Sequence, residues 1–141
     1  MRFLDANIFV YAYYKPKRAL SQKEQYMKNE AKKIIERINE AKEEVVTTVI
    51  HLAEASNILK HGVSLETLNN MMLGLFMLDN VKILGVNRET YFAATELAGE
   101  LKLDPNNALI IEVMRLNNIR EVYSFDEDLE EIEEITRLPK L

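Results

Sequence analysis

Met1-Arg2-Phe3-Leu4-Asp5-Ala6-Asn7-Ile8-Phe9-Val10-Tyr11 opens the chain. Phe3 and Leu4 read as a buried strand, and Ile8 to Tyr11 as the first turns of a helix. Asp5 and Asn7 stand at the junction, at the carboxyl end of the strand, which is where ligands bind in open α/β sheets. A carboxylate set between two apolar segments costs free energy unless it is paired, hydrogen-bonded or bound to a metal. At this point two readings stay open: Asp5 or Asn7 caps the helix, or the junction belongs to a site.

Outward from the junction, strand and helix patterns alternate. Lys15-Pro16-Lys17-Arg18 is a basic loop, expected near the same sheet edge as Asp5. It is either a solvated turn or a guide for a phosphate backbone. Ser21 to about Lys42 has a helical period, with Ala31, Ile34, Ile35, Ile38 and Ala41 on one face, and Ser21 with Glu24 reads as a capping box. Val45 to Thr47 is a β-branched strand. Thr48 is the expected cap of a helix from Val49 to about Lys60, on which Glu54 falls in the apolar stripe of Ile50 and Ile58. An acid in such a stripe either marks function or pairs with His51 or Lys60 near the surface.

Gly62 ends that helix and Ser64 caps the next, which runs to about Leu78. Its Leu65, Leu68, Met71, Met72, Leu75, Phe76 and Met77 read equally as a buried helix or as a partner or dimer surface. Val81 to Gly85 is a strand, and Asn87 caps a helix to about Leu101 with Tyr91, Ala94, Leu97 and Ala98 in its core stripe. Asp104 and Pro105 start another helix, which ends near Asn117. Glu121 to Asp126 is a further strand that ends on an acid. A short charged helix follows from Asp128, and Ile135 to Leu138 forms an edge strand closed by Pro139. The alternation predicts an α/β/α sandwich with a mainly parallel central sheet.

The 141 residues fit a single domain over 1–141 with a real core, and the 48% apolar content is that of a globular chain. The absence of cysteine excludes disulfides and thiolate metal sites, and fits a reducing, cytoplasmic setting. No apolar stretch is long enough to span a bilayer, and Asp5 interrupts any signal-peptide core. The net charge of −5 excludes a globally basic nucleic-acid binder, so RNA contact would need a local patch. The richness in Glu, Lys and Ile points to a thermophilic source.

In a parallel sheet Asp5, Glu54, Asp104, Asn107 and Asp126 would gather at one edge. An oxygen-only donor set without His or Cys suits Mg²⁺ or Mn²⁺. The two histidines, His51 and His61, read as helix-face and helix-end residues. No phosphate-binding glycine loop or Ser-His-Asp set is present.

Four segments, LDANIFVY (4–11), HLAEASNIL (51–59), NALIIEVM (107–114) and YSFDEDL (123–129), resemble a PIN domain in order and spacing across the chain. The resemblance implies a compact α/β/α metal-dependent ribonuclease. Many small prokaryotic members are toxins of VapBC-type toxin–antitoxin pairs and are usually dimers. Asp5, Glu54 and Asp126 match the family's first, second and fourth acids. Asn107 stands where the third acid is expected, leaving three acids in place of four. Asp104, one helical turn earlier, is either a substitute ligand or only the cap. Asn7 and Ser124 match the small polar and hydroxyl positions beside the acids, and Lys15, Lys17 and Arg18, with Lys60, would guide RNA. The implied cofactor is Mg²⁺ or Mn²⁺, and the implied partners are RNA, an antitoxin protein and a second copy. Three readings compete with the nuclease: a degenerate, non-catalytic RNA-binding or assembly module, supported by Asn107; an interaction protein using the Met-rich helix; and a phosphatase, disfavoured because Asn7 stands where a second Asp is needed.

Overall fold

The computed structural model describes residues 1–141. Five strands form one parallel sheet in the order β3-β2-β1-β4-β5: β1 (Arg2–Leu4), β2 (Val45–Thr48), β3 (Val81–Leu84), β4 (Glu121–Tyr123) and β5 (Thr136–Leu138). The strands are short and β-branched or aromatic, as suits a sheet covered on both faces. Side chains alternate between the faces. Leu4, Val45, Val81 and Tyr123 join one core cluster, and Phe3, Val46 and Val122 the other.

The first face is covered by α1 (Ala6–Tyr13), α2 (Gln22–Asn39), α3 (Val49–Leu59) and α4 (Leu65–Met77). The second is covered by α5 (Arg88–Leu101) and α6 (Pro105–Leu116), with Leu129 of a single 3₁₀ turn (Glu127–Glu131). This is the expected three-layer α/β/α sandwich. Strand order runs outward from β1 in both directions, through β2 to β3 and through β4 to β5. The topological switch point therefore lies at the carboxyl end of β1, where Asp5 stands.

Local signals explain most element boundaries. Ser21 caps α2 with the complete reciprocal capping box to Glu24. Thr48, Ser64, Asn87 and Asp104 each accept a bond from the backbone N–H three residues on. The buried Lys28 places its ammonium on the carbonyls of Tyr11 and Tyr14 (3.1 and 2.9 Å), closing the carboxyl end of α1. Strands β2, β3 and β5 differ from the sequence expectation by one residue at one end, and three departures are larger. First, α2 stops at Asn39 because Ala41 is left-handed (φ 58°). Second, β4 stops at Tyr123 rather than Asp126, because the Ser124 hydroxyl takes the N–H of Asp126 (3.0 Å) and turns the chain out of the ladder. Third, the charged segment after Asp126 is a 3₁₀ turn.

Of α4 only Leu68 and Leu75 are buried, while Leu65, Leu73, Phe76 and Met77 face outward. No helix is long and apolar enough to cross a membrane.

Candidate functional site

Asp5 is 3% exposed at the end of β1. Its N–H donates to the Tyr123 carbonyl of β4 (3.0 Å), so sheet pairing fixes its backbone. Its Oδ1 accepts the N–H of Ala6 (2.7 Å), and its Oδ2 accepts the Ser124 hydroxyl (2.6 Å). The same Ser124 Oγ receives the N–H of Asp126 (3.0 Å) and the Asn7 amide (3.4 Å), while Asn7 Oδ1 accepts the N–H of Phe125 (3.2 Å). Asp126 Oδ1 takes the N–H of Asp128 (3.0 Å), and its Oδ2 takes the Asn107 side-chain amide (2.7 Å). Asn107 is held in turn by Asp104, whose Oδ1 accepts its backbone N–H (2.8 Å). Asp104 thus caps α6. Asp5, Asn7, Ser124, Asp126, Asn107 and Asp104 form one connected chain of hydrogen bonds.

Glu54 joins this chain through α6. Its Oε1 accepts the side-chain amide of Asn106 (2.7 Å), the residue before Asn107. Neither His51 nor Lys60 pairs with it. Lys60 sits at the other end of α3, as its C-cap. His51, expected on a helix face, is fully buried. Its Nδ1 meets the Thr48 hydroxyl (2.7 Å), its Nε2 meets the Asn106 carbonyl (3.0 Å), and its ring stands edge-on to Phe3. A carbonyl cannot donate, so Nε2 carries the proton and Nδ1 accepts from Thr48. Burial pushes the imidazole below its usual value, which matches that neutral form.

Electrostatics single out Asp5. Burial pushes its carboxyl up to about 6; the Ser124 and Ala6 bonds oppose the rise, and the negative charges of Asp126 and Asp104 add to it. Negative charge collects at this edge with no cationic side chain bonded to Asp5, Glu54 or Asp126. The oxygen-only donors fit a hard divalent cation in kind. They are short in number, since no three acidic or histidine side chains gather where one ion could bind. Beside Asp126 stands the neutral amide of Asn107, which donates to it and brings no charge of its own.

The basic loop lies apart from this network. α1 carries the chain about 12 Å from Asp5, eight residues at about 1.5 Å each, before the loop begins. Lys15 and Lys17 are exposed, and Arg18 is bound through both nitrogens to Glu24 (2.9 and 2.6 Å), so its charge is offset. Among the exposed cations, Lys23 reaches the site's border, paired with Glu127 (3.3 Å), the residue after Asp126.

Three participants are new relative to the sequence reading: Asn106, Tyr91, whose hydroxyl donates to Asn106 Oδ1 (2.7 Å), and Arg137. The buried Arg137 of β5 donates to the Ser124 carbonyl (3.0 Å) and to Glu130, and so fixes the turn that presents Ser124 and Asp126.

The PIN domain family model matches residues 2–135. No curated protein sequence matches the chain significantly. Among solved structures, the chain is similar to Mycobacterium tuberculosis VapC20, a sarcin–ricin loop cleaving toxin, with TM-score 0.70 and 17% identity, covering 96% of this chain and 97% of that one. It is similar to a toxin–antitoxin complex from Klebsiella pneumoniae, with TM-score 0.65 and 15% identity, covering 96% of each chain. It is also similar to VapBC2 from Rickettsia felis bound to a promoter DNA fragment, with TM-score 0.62 and 17% identity, covering 96% of each chain. At these identities the structural likeness establishes the fold.

Proposed function

The chain belongs to the PIN-domain family, and from that premise we propose that it is a divalent-cation-dependent endoribonuclease, the toxin of a toxin–antitoxin pair. The observation that carries the reading is the hydrogen-bonded chain Asp5–Ser124–Asp126–Asn107 at the switch point of the sheet. The toxin character of the similar structures supports it.

Asp5, Asp126 and Glu54 would hold Mg²⁺ or Mn²⁺, with Asn107 able to offer its amide oxygen. Bound there, such a cation makes an attacking water more acidic and stabilises charge building on the phosphodiester. The chain's own contribution is positioning. Ser124 and the Ala6 N–H fix both oxygens of Asp5, Asn107 fixes Asp126, and Asn7 ties the β1 junction to Phe125. The products expected of such metal-assisted hydrolysis are a 5′-phosphate and a 3′-hydroxyl. Lys15 and Lys17 are free to meet the RNA backbone, and against a net charge of −5 that binding weakens steeply with salt. The outward apolar stripe of α4 supports a homodimer or an antitoxin contact. The setting is cytoplasmic.

One observation favours a second reading, a non-catalytic RNA-binding or assembly module of the same fold. With Asn107 in place, no three acidic or histidine side chains cluster.

Cleavage of a structured RNA pool separates the two. The native chain should cut with Mn²⁺ or Mg²⁺, stop cutting with a chelator, and leave 5′-phosphate ends. Asp5→Asn should be silent at equal folding. A native chain that binds the pool but never cuts it favours the module.

A further inference from the structure

A cavity of about 200 Å³ lies between α1 and the amino-terminal half of α2. Tyr11 and Tyr14 line it from one side and Glu24 and Lys28 from the other, with Arg18 from the loop between the helices. Lys28 is only 8% exposed. Two of its three N–H donors go to the carbonyls of Tyr11 and Tyr14 (3.1 and 2.9 Å), and no carboxylate pairs with it. Glu24, the one acid in the wall, is committed to both nitrogens of Arg18 (2.9 and 2.6 Å). The Lys28 charge is therefore unbalanced. Burial, and then the charges of Lys32 and Lys15, hold its ammonium below the usual lysine range. In a chain of net charge −5 this is a local excess of positive charge beside two phenol rings.

The cavity also borders the candidate site. Tyr11 stands edge-on to Phe125, with ring centres 5.0 Å apart, and Phe125 precedes Asp126. On the α2 side Lys23, next to Glu24, pairs with Glu127 (3.3 Å), which follows Asp126. Tyr14 is fixed from behind, because a Cβ on Gly62 would fall 2.5 Å from its ring, so only glycine lets the chain after α3 come so close.

We propose that this cavity is a subsite for one nucleotide of a single RNA strand, with its base against Tyr11 and Tyr14, its phosphate on Lys28, and the strand running on to the Asp5–Asp126 edge. The inference rests on RNA as the ligand, which the nuclease and the binding module share, and it needs no metal ion. Aromatic rings beside a positive track are the combination that holds single-stranded nucleic acid, since every base has a face to stack. The volume is below the about 300–1,000 Å³ of pockets that enclose a drug-sized ligand, so it suits one ring and its linked group. An acidic peptide would meet Lys28 but gives the two rings no stacking partner.

The test is binding of a short fluorescein-labelled single strand of RNA, followed by anisotropy in a chelator at rising salt, for the native chain, Tyr14→Leu, Lys28→Met and Lys82→Met. Lys82 is exposed on the edge strand β3 and controls for net charge alone. Tyr14→Leu should weaken binding at least about fivefold, the loss of one stacked base, with the salt slope unchanged. Lys28→Met should reduce the slope by about 0.7, one phosphate contact on a single strand, and Lys82→Met should leave it as it is. Because Lys28 also closes α1, a second readout uses the native chain: a strand carrying 4-thiouridine should crosslink on irradiation to residues 11–14. Binding within twofold of native in both cavity variants, with an unchanged slope, overturns the subsite and leaves the cavity to a protein segment. Crosslinks confined to other segments overturn it as well. A native chain that binds no RNA in the chelator overturns the RNA reading, and the subsite with it.

Discussion

Asp5 carries the largest consequence of any single residue. Its carboxyl rises from 3.8 to about 6 on folding, first through burial and then through the charges of Asp126 and Asp104. Between those values the folded chain keeps a proton that the unfolded chain has released. The stability this provides is therefore full below about pH 4 and is lost as pH rises through 6. With a chelator present, Asp5→Asn should gain on the native chain by an amount on the order of 3 kcal/mol between pH 4 and pH 7. Urea denaturation of both chains across that range checks it, and a flat difference would contradict it. His51 acts with the opposite sign, since its lowered pKa costs stability as pH falls below its usual value, but it is common to both chains and cancels. Asp5 and Asp126 were legible in the sequence because each is an acid next to an apolar run, a conflict that only a site or a cap resolves. Asn106, Tyr91 and Arg137 were not. Their roles depend on which helices and strands meet, and residue spacing along one element does not encode that.

At the scale of elements, the carboxyl end of α2 makes the sharpest case. The Lys42 N–H returns to the Arg37 carbonyl (2.9 Å) and the Ala41 N–H to that of Ile38 (3.0 Å), the two bonds of a Schellman ending. That ending puts its C′ residue in the left-handed region, and here the residue is Ala41 at φ 58°. A Cβ in that conformation costs about 1–2 kcal/mol. Ala41→Gly removes the cost while loosening the unfolded chain, so it should stabilise by up to about 1 kcal/mol, read as a rise in the urea midpoint with unchanged slope. A loss of stability would mean that Ala41 makes contacts of its own. Periodicity alone carries α2 on to Lys42, because Ala41 continues the apolar stripe and nothing in the pattern reports a change in φ. The same limit explains β4. Val122 and Tyr123 look like a strand that runs on through Ser124 and Phe125, yet the Ser124 hydroxyl captures the Asp126 N–H and ends the ladder early. The helix starts were readable because Ser21, Thr48, Ser64, Asn87 and Asp104 are all capping residues.

For the whole molecule, the alternation of strand and helix predicts the layers and the parallel sheet, and the family motifs follow from them. The strand order does not appear in the alternation, although it is what places Asp5 at the switch point. α4 shows how an ambiguity in the pattern is resolved by packing: Leu68 and Leu75 are buried and Met71 and Met72 pack partly against the core, while Leu65, Leu73, Phe76 and Met77 remain an open surface. The edge holding Asp5, Asp126 and Glu54 is the proposed cation-dependent nuclease centre, with the neutral Asn107 beside Asp126. The measurement that reaches it most directly is RNA cleavage rate against Mn²⁺ concentration for the native chain and Asn107→Asp. Both should cut the same RNA at the same positions, with Asn107→Asp reaching its full rate at a lower Mn²⁺ concentration because a carboxylate replaces the amide beside Asp126. Cleavage that persists in a chelator, or that is equally fast at every Mn²⁺ concentration in both chains, would contradict it.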